Sequence, residues 1–168
     1  ADIRASRVVH ADAATLPSRP SFSADPMNLF VVVEAGDHHV TVLDGDRLAP
    51  ITRFPSRFAL HGGPKFSPDG RYVYFASRDG WVSKFDLWNL KTVAEVRAAI
   101  NTRNLAVSAD GRYVMVANYL PRTLVLLDAD LGLERVYPAA DLEGKTSRVS
   151  AVYDAAPRRS FVVAMKDI

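Results

Sequence analysis

An aspartate closes an apolar run at Asp44, again at Asp86 and again at Asp128, and the two intervals are equal. The turn Ser67-Pro68-Asp69-Gly70 and the Arg71-Tyr72-Val73 after it return as Ser108, Asp110, Gly111, Arg112, Tyr113 and Val114, one position short of that interval. A single insertion before Asp128 restores it. Pro26 and Asn28 precede Pro68 and Gly70 by the full interval, and asparagine tolerates the positive φ that such a turn demands. A fourth copy starts at Ser150–Asp154, turns through Ala155-Ala156-Pro157-Arg158, continues as Phe161–Met165 and stops about halfway. A period of roughly 40–45 residues, built of short apolar runs and tight turns, is that of four-stranded β-propeller blades. Helical repeats of similar length would need apolar residues at i, i+3, i+4 and i+7, and these runs lack that pattern.

The expected fold is therefore all-β, a partial propeller of about three and a half blades. Residues 1–27 read as a linker with one edge strand over Ile3–His10, and 28–168 as the propeller piece. Blades are expected near 28–60, 61–100 and 101–146, with 147–168 incomplete. In the central unit strands are predicted near Pro64–Ser67, Tyr72–Ala76, Trp81–Asp86 and Thr92–Arg97. Leu29–Val33 is continuously apolar, as a strand buried on both faces would be. Blades bury their faces only against one another, so such a stack does not close unless residues 3–10 complete the last blade. Together with a first residue that is Ala1 rather than Met, this reads as a piece of a longer protein. Alone it is expected to lack activity and to associate through its open sheet edges.

Composition narrows the chemistry. A formal net charge of +2 gives no basis for nucleic-acid binding, and no run reaches transmembrane length. No basic-then-apolar signal pattern opens the chain. The absence of cysteine excludes thiolate metal sites, a nucleophilic thiol and CxxCH haem attachment within these residues. Arginine supplies 16 of the 21 basic residues, which suits an anionic ligand and equally suits a GC-rich genome. No GxSxG, P-loop, HExxH or GxGxxG pattern occurs.

His61 stands just ahead of Gly62 and Gly63, at the entry to the innermost strand of its unit. Propellers gather such positions around a central channel, where a neutral imidazole can ligate iron. The same pattern fits a histidine that caps a turn. Asn101–Asn104 is the counterpart of Leu60–Gly63 one unit earlier, so His61 and Arg103 are expected on neighbouring blades at one channel mouth. Arg78, in Arg78-Asp79-Gly80, turns the chain after a strand, and Tyr119 occupies the same turn one unit on. A solvated loop arginine and a packing aromatic remain the alternatives on these residues alone. His38 and His39 are adjacent in an extended hairpin and point to opposite faces, so they are not expected to share a metal. The Asp44, Asp86 and Asp128 series recurs too regularly for a unique site and is expected to bond to turns. Trp81 and Trp88 read as blade packing.

The string ALHGGPKFSPDGRYVYFASRDGWVSKFDLWNLKTVAEVRA, followed by INTRN, NYLP and SRVSAVYDAAPRRSFVVAMKD, resembles the haem d1-binding propeller family. That family includes cytochrome cd1 nitrite reductase and periplasmic proteins of haem d1 assembly. The similarity runs over about residues 28–168 and is nearest to the dihydro-haem d1 dehydrogenase type. It implies an eight-bladed propeller whose cavity holds haem d1 or dihydro-haem d1, with His61 as axial iron ligand. It implies also that Arg78, Arg103 and Tyr119 contact the acidic substituents of the macrocycle. The implied activity is oxidation of dihydro-haem d1, with electrons passed to a c-type haem in a domain outside this chain. A c-type cytochrome acceptor, nitrite reductase as a partner and a periplasmic location follow from the same resemblance. The catalytic residues are expected in blades beyond these. The reductase carries a further arginine near Glu34-Ala35 that this chain lacks, which weighs against plain nitrite reduction. The d1 domain of a nitrite reductase and a non-enzymatic haem d1 carrier or interaction propeller are the alternatives.

Overall fold

In the computed structural model, which describes residues 2–168, the apolar runs become strands and no α-helix forms among the described residues. The first sheet holds β2 (Leu29–Glu34), β3 (His39–Asp44) and β4 (Ala49–Pro55), after a two-residue β1 (Val8–Val9). The second holds β5 (Leu60–Phe66), β6 (Tyr72–Ser77), β7 (Trp81–Asp86) and β8 (Lys91–Arg97). The third holds β9 (Asn101–Val107), β10 (Tyr113–Leu120), β11 (Thr123–Asp128) and β12 (Leu133–Pro138), and the fourth holds β13 (Val149–Ala155) and β14 (Ser160–Met165). Every pairing is antiparallel between sequence neighbours, save that β1 adds to the outer edge of β8. This is a partial β-propeller, with one sheet per blade.

Alternation along the second strand of each blade decides how the blades stack. Val73 and Phe75 of β6 enter a core with Val40, Val42, Phe85 and Leu87, between the first and second blades. Tyr74 and Ala76 point the other way, to Leu105, Val114, Val116 and Leu127 of the third blade. In β10, Val114 and Val116 face back to that core while Met115 and Ala117 face Val149 and Val152 of the fourth. Both faces of β6 and β10 are thus covered, which is why their sequences are apolar throughout rather than alternating. Each fully buried Val, Leu or Phe side chain contributes about 1.5–3 kcal/mol.

The repeated aspartates hold the turns. Asp44 Oδ1 accepts from the N–H of Asp46 and Arg47, Asp86 Oδ1 from Trp88 and Asn89, and Asp128 Oδ1 from Asp130 and Gly132. Ser67 and Ser108 act alike in the other repeated turn. Each hydroxyl donates to the carboxylate two residues on and accepts the N–H of Tyr72 or Tyr113.

Three expectations need correction. Leu29–Val33 is not covered on both faces, since Phe30 and Val32 are 49% and 40% exposed. Ile3–His10 is not one strand: Arg4–Ser6 forms a 3-10 turn and only Val8–Val9 pairs, with Glu95 and Ala94. The segment therefore extends the second blade and does not complete the last. Ile3 packs on the core between the second and third blades, and the Arg7 guanidinium donates to the Asp130 carbonyl (2.9 and 3.1 Å), which anchors the segment there. The innermost strand of the second blade also begins at Leu60, ahead of Pro64, because a bulge carries the pairing past the two glycines. At the ends of the stack Phe30 and Val32 of the first blade, and Tyr153 and Val162 of the fourth, are 40–60% exposed.

Candidate functional site

The innermost strands of the second and third blades lie side by side, and both are irregular where they meet. In the second blade His61 pairs with Ala76 and the register resumes only at Lys65 with Tyr74, so β5 carries two extra residues. Bulges of this kind re-aim side chains next to functional sites. Gly62 sits at φ +84°, and a Cβ there would lie 2.7 Å from the Arg103 carbonyl oxygen. Only glycine permits that approach. The approach puts His61 Nδ1 2.8 Å from the same carbonyl. A carbonyl only accepts, so Nδ1 carries the proton and donates, and Nε2 keeps a free lone pair on an exposed ring. Beneath the bulge the Lys65 ammonium donates to the Gly62 carbonyl at 2.7 Å, and burial holds its pKa below the usual lysine value. A cleft of about 340 Å³, lined by Val31, Val33, Leu60, His61, Gly63 and Phe75 among others, opens beside the ring toward the first blade.

In the third blade Thr102 pairs with Asn118 and Asn104 with Ala117, leaving Arg103 as the extra residue of β9. Tyr119 is the extra residue of β10, between the pairs of Asn118 and Leu120. A buried bond from Thr102 Oγ1 to Asn118 Oδ1 (2.7 Å) and another from Asn118 Nδ2 to Thr123 Oγ1 (3.2 Å) pin both bulges. The Arg103 guanidinium then stands 4.3 Å from the centroid of the Tyr119 ring, in cation–π range. Arg103 Nε is buried without a hydrogen-bond partner, as are Asn101 Oδ1 and Asn104 Oδ1 on the same strand. Three orphaned polar atoms on one inner strand are uncommon in a finished core and fit a strand that receives a polar ligand.

His61, Arg103 and Tyr119 are thus brought together. Arg78 lies at the same end of the second blade, its N–H bonded to the Ala59 carbonyl at 3.1 Å. Its exposed guanidinium makes no hydrogen bond or ion pair with the described residues. Two further cations reach Tyr119. The Arg148 guanidinium and the Lys166 ammonium each lie 5.4 Å from its ring, and Lys166 Nζ donates to the hydroxyl at 3.2 Å. Sequence reasoning missed both, because the connection between the third and fourth blades, residues 139–148, breaks the regular offset. Arg148 forks onto Asp167 (2.6–3.1 Å), whose carboxyl is held well below the usual carboxylate range by those bonds.

His38 lies in a left-handed turn (φ +59°) ahead of β3, not in extended chain, and the two adjacent histidines take different partners. His39 Nδ1 donates to the Asp37 carbonyl (2.9 Å) while His38 packs at a tilt against Phe58, with ring centroids 5.1 Å apart and planes 52° from parallel. No cluster of three metal-ligating side chains occurs among the described residues. Where the reductases are expected to carry an arginine, Glu34 is held by the fork of Arg53 (2.9–3.1 Å).

The model of the family described as Cytochrome D1 heme domain matches residues 24–168. The chain belongs to that family. A dihydro-heme d1 dehydrogenase of Pseudomonas aeruginosa is 74% identical to it over 99% of this chain and 34% of the relative. A nitrite reductase of Stutzerimonas stutzeri is 31% identical over 82% of this chain and 25% of its own length. The solved structure of dihydro-heme d1 dehydrogenase NirN in complex with DHE superposes with a TM-score of 0.97 at 74% identity, over 99% of this chain and 36% of that one. The chain thus spans about a third of the length of the dehydrogenase relatives it matches.

Proposed function

We propose that this member of the Cytochrome D1 heme domain family is part of a periplasmic protein that oxidises dihydro-haem d1 to haem d1. The observation that carries the reading is the His61 ring, whose Nδ1 is anchored on the Arg103 carbonyl at 2.8 Å while Nε2 stays free. That is the state of an imidazole ready to ligate iron. The choice of the dihydro tetrapyrrole rests on 74% identity to a dihydro-heme d1 dehydrogenase, against 31% to a nitrite reductase. The donor set fits such a ligand: a neutral imidazole, a buried guanidinium nitrogen lacking an acceptor, and a glycine beside the histidine.

In this reading His61 Nε2 holds the iron, and the Arg103 carbonyl fixes the tautomer and tilt of the ring. Gly62 keeps side chains away from the contact between the blades, and Lys65 braces the bulge. The guanidinium forks of Arg78 and Arg103 and the Tyr119 hydroxyl bind the carboxylates and set the orientation of the ring in the channel. When bound, the dihydro tetrapyrrole supplies the redox chemistry, a loss of two electrons and two protons. The two electrons would leave one at a time through a c-type haem outside this chain, and the two protons would pass to groups on blades beyond these.

Mixing the complete protein with dihydro-haem d1 and an electron acceptor is expected to convert the absorption spectrum to that of haem d1. A bound but unconverted dihydro spectrum would leave a carrier and remove the enzyme. Arg103→Gln in the complete protein is expected to weaken tetrapyrrole binding about 10- to 100-fold, the usual range for a lost charge-assisted bond. Unchanged affinity in a titration followed by absorption would take Arg103 out of the site.

A further inference from the structure

The second strands of successive blades end at one rim, and each presents a polar side chain there. Arg78 follows β6, Tyr119 is the penultimate residue of β10, and Lys166 follows β14. Backbone bonds make the first and last equivalent. The Arg78 N–H donates to the Ala59 carbonyl just ahead of β5 (3.1 Å), and the Lys166 N–H donates to the Arg148 carbonyl just ahead of β13 (2.9 Å). The side chain of Lys166 then reaches back to the third blade, where its ammonium donates to the Tyr119 hydroxyl at 3.2 Å.

Charge singles out this lysine among the new cations. Arg148 is neutralised by Asp167, with its closest contact at 2.6 Å. Lys166 and Arg103 have no acidic partner among the described residues, yet both are gathered on one phenol ring, 5.4 and 4.3 Å from its centroid. Two uncompensated cations held this way repel each other, and a carboxylate laid along the ring edge relieves both.

We propose that Lys166 is a carboxylate-binding residue of the same site, the fourth blade's member of the rim, acting with the Tyr119 hydroxyl on one acidic substituent of the ligand. The inference rests on the tetrapyrrole reading given above. It places the ligand's acidic groups against three successive blades, with Arg78, the Arg103–Tyr119 pair and Lys166 in turn. The fourth blade thereby enters recognition although its innermost strand carries no counterpart of His61.

The test is an equilibrium titration of the complete protein with dihydro-haem d1 and with the same compound methyl-esterified at its carboxylates, followed by absorption. Lys166→Met is expected to bind the free acid about tenfold more weakly than the wild type, and Lys166→Arg within about threefold of it. Both variants are expected to bind the ester as the wild type does, with unchanged far-ultraviolet circular dichroism. An equal loss for acid and ester would mean that Lys166 only props Tyr119, and undiminished acid binding by Lys166→Met would make it a solvent cation. Either result overturns the assignment while a normal axial-ligand spectrum in the wild type leaves the tetrapyrrole reading standing. A wild type that binds neither compound removes both.

Discussion

Replacing His61 with alanine in the complete protein is expected to abolish the axial-ligand absorption signature of the bound tetrapyrrole and to leave the β-sheet circular dichroism unchanged. The two effects separate because the ring does little for the fold. It is exposed, and its one hydrogen bond goes to the Arg103 carbonyl, which water can satisfy once the ring is gone. Removing such a bond costs about 0.5–1.5 kcal/mol. The cations gathered around Tyr119 do not replace the iron bond, because a protonated lysine or arginine has no lone pair to offer. Free imidazole added to the His61→Ala protein should restore part of the spectrum, because truncating an exposed side chain leaves a solvent-accessible space of the ring's own size. An unchanged spectrum without imidazole would place the iron ligand elsewhere and undo the reading of this channel mouth.

The blade architecture was legible because it is written in local chemistry that repeats. Asp44, Asp86 and Asp128 each accept turn N–H groups, and Ser67 and Ser108 each close a turn on their own aspartate, so the same residues return at the same spacing. The run Leu29–Val33 signalled a strand covered on both faces and misled, because Phe30 and Val32 lie at the end of the stack with no blade over them among the described residues, whereas the apolar β6 and β10 have a core on either side. The N-terminal segment was not legible. Ile3, Val8 and Val9 carry too little pattern to say that a 3-10 turn would intervene or which blade edge they would join. At the candidate site the sequence pointed to His61 and Arg103 on neighbouring strands, and the structure joins them. It could not reveal how, since the contact depends on two extra residues in β5 and on a backbone carbonyl rather than on either side chain as a pair. Arg78 was put in the right turn, but nothing in the chain itself holds its guanidinium toward the others. Lys166 was hidden by the irregular connection before the fourth blade, and only the backbone bonds at the strand ends reveal its register.

Asp86→Ala is expected to be far more damaging than the same change at Asp128, although the two occupy equivalent turns. Both carboxylates accept two backbone N–H groups, and losing those bonds costs about 1–2 kcal/mol, as at a helix cap. Asp86 is fully buried and takes on more: the Arg71 guanidinium at 2.7 and 3.1 Å and the Asn89 side-chain amide at 2.9 Å. Arg71 is itself only 12% exposed, lying between the Tyr72 and Trp88 rings at 5.0 and 5.3 Å from their centroids. Alanine at 86 would leave that guanidinium enclosed without its counter-charge, a loss of about 3–5 kcal/mol. Asp128 is half-buried and has no such partner among the described residues, so its removal should stop at the cost of the turn. Urea unfolding of the complete protein, compared for the wild type and both alanine variants, measures the gap directly. Equal destabilisation of the two would mean that the Arg71 pair contributes nothing beyond the turn, and that all three repeated aspartates are interchangeable turn formers.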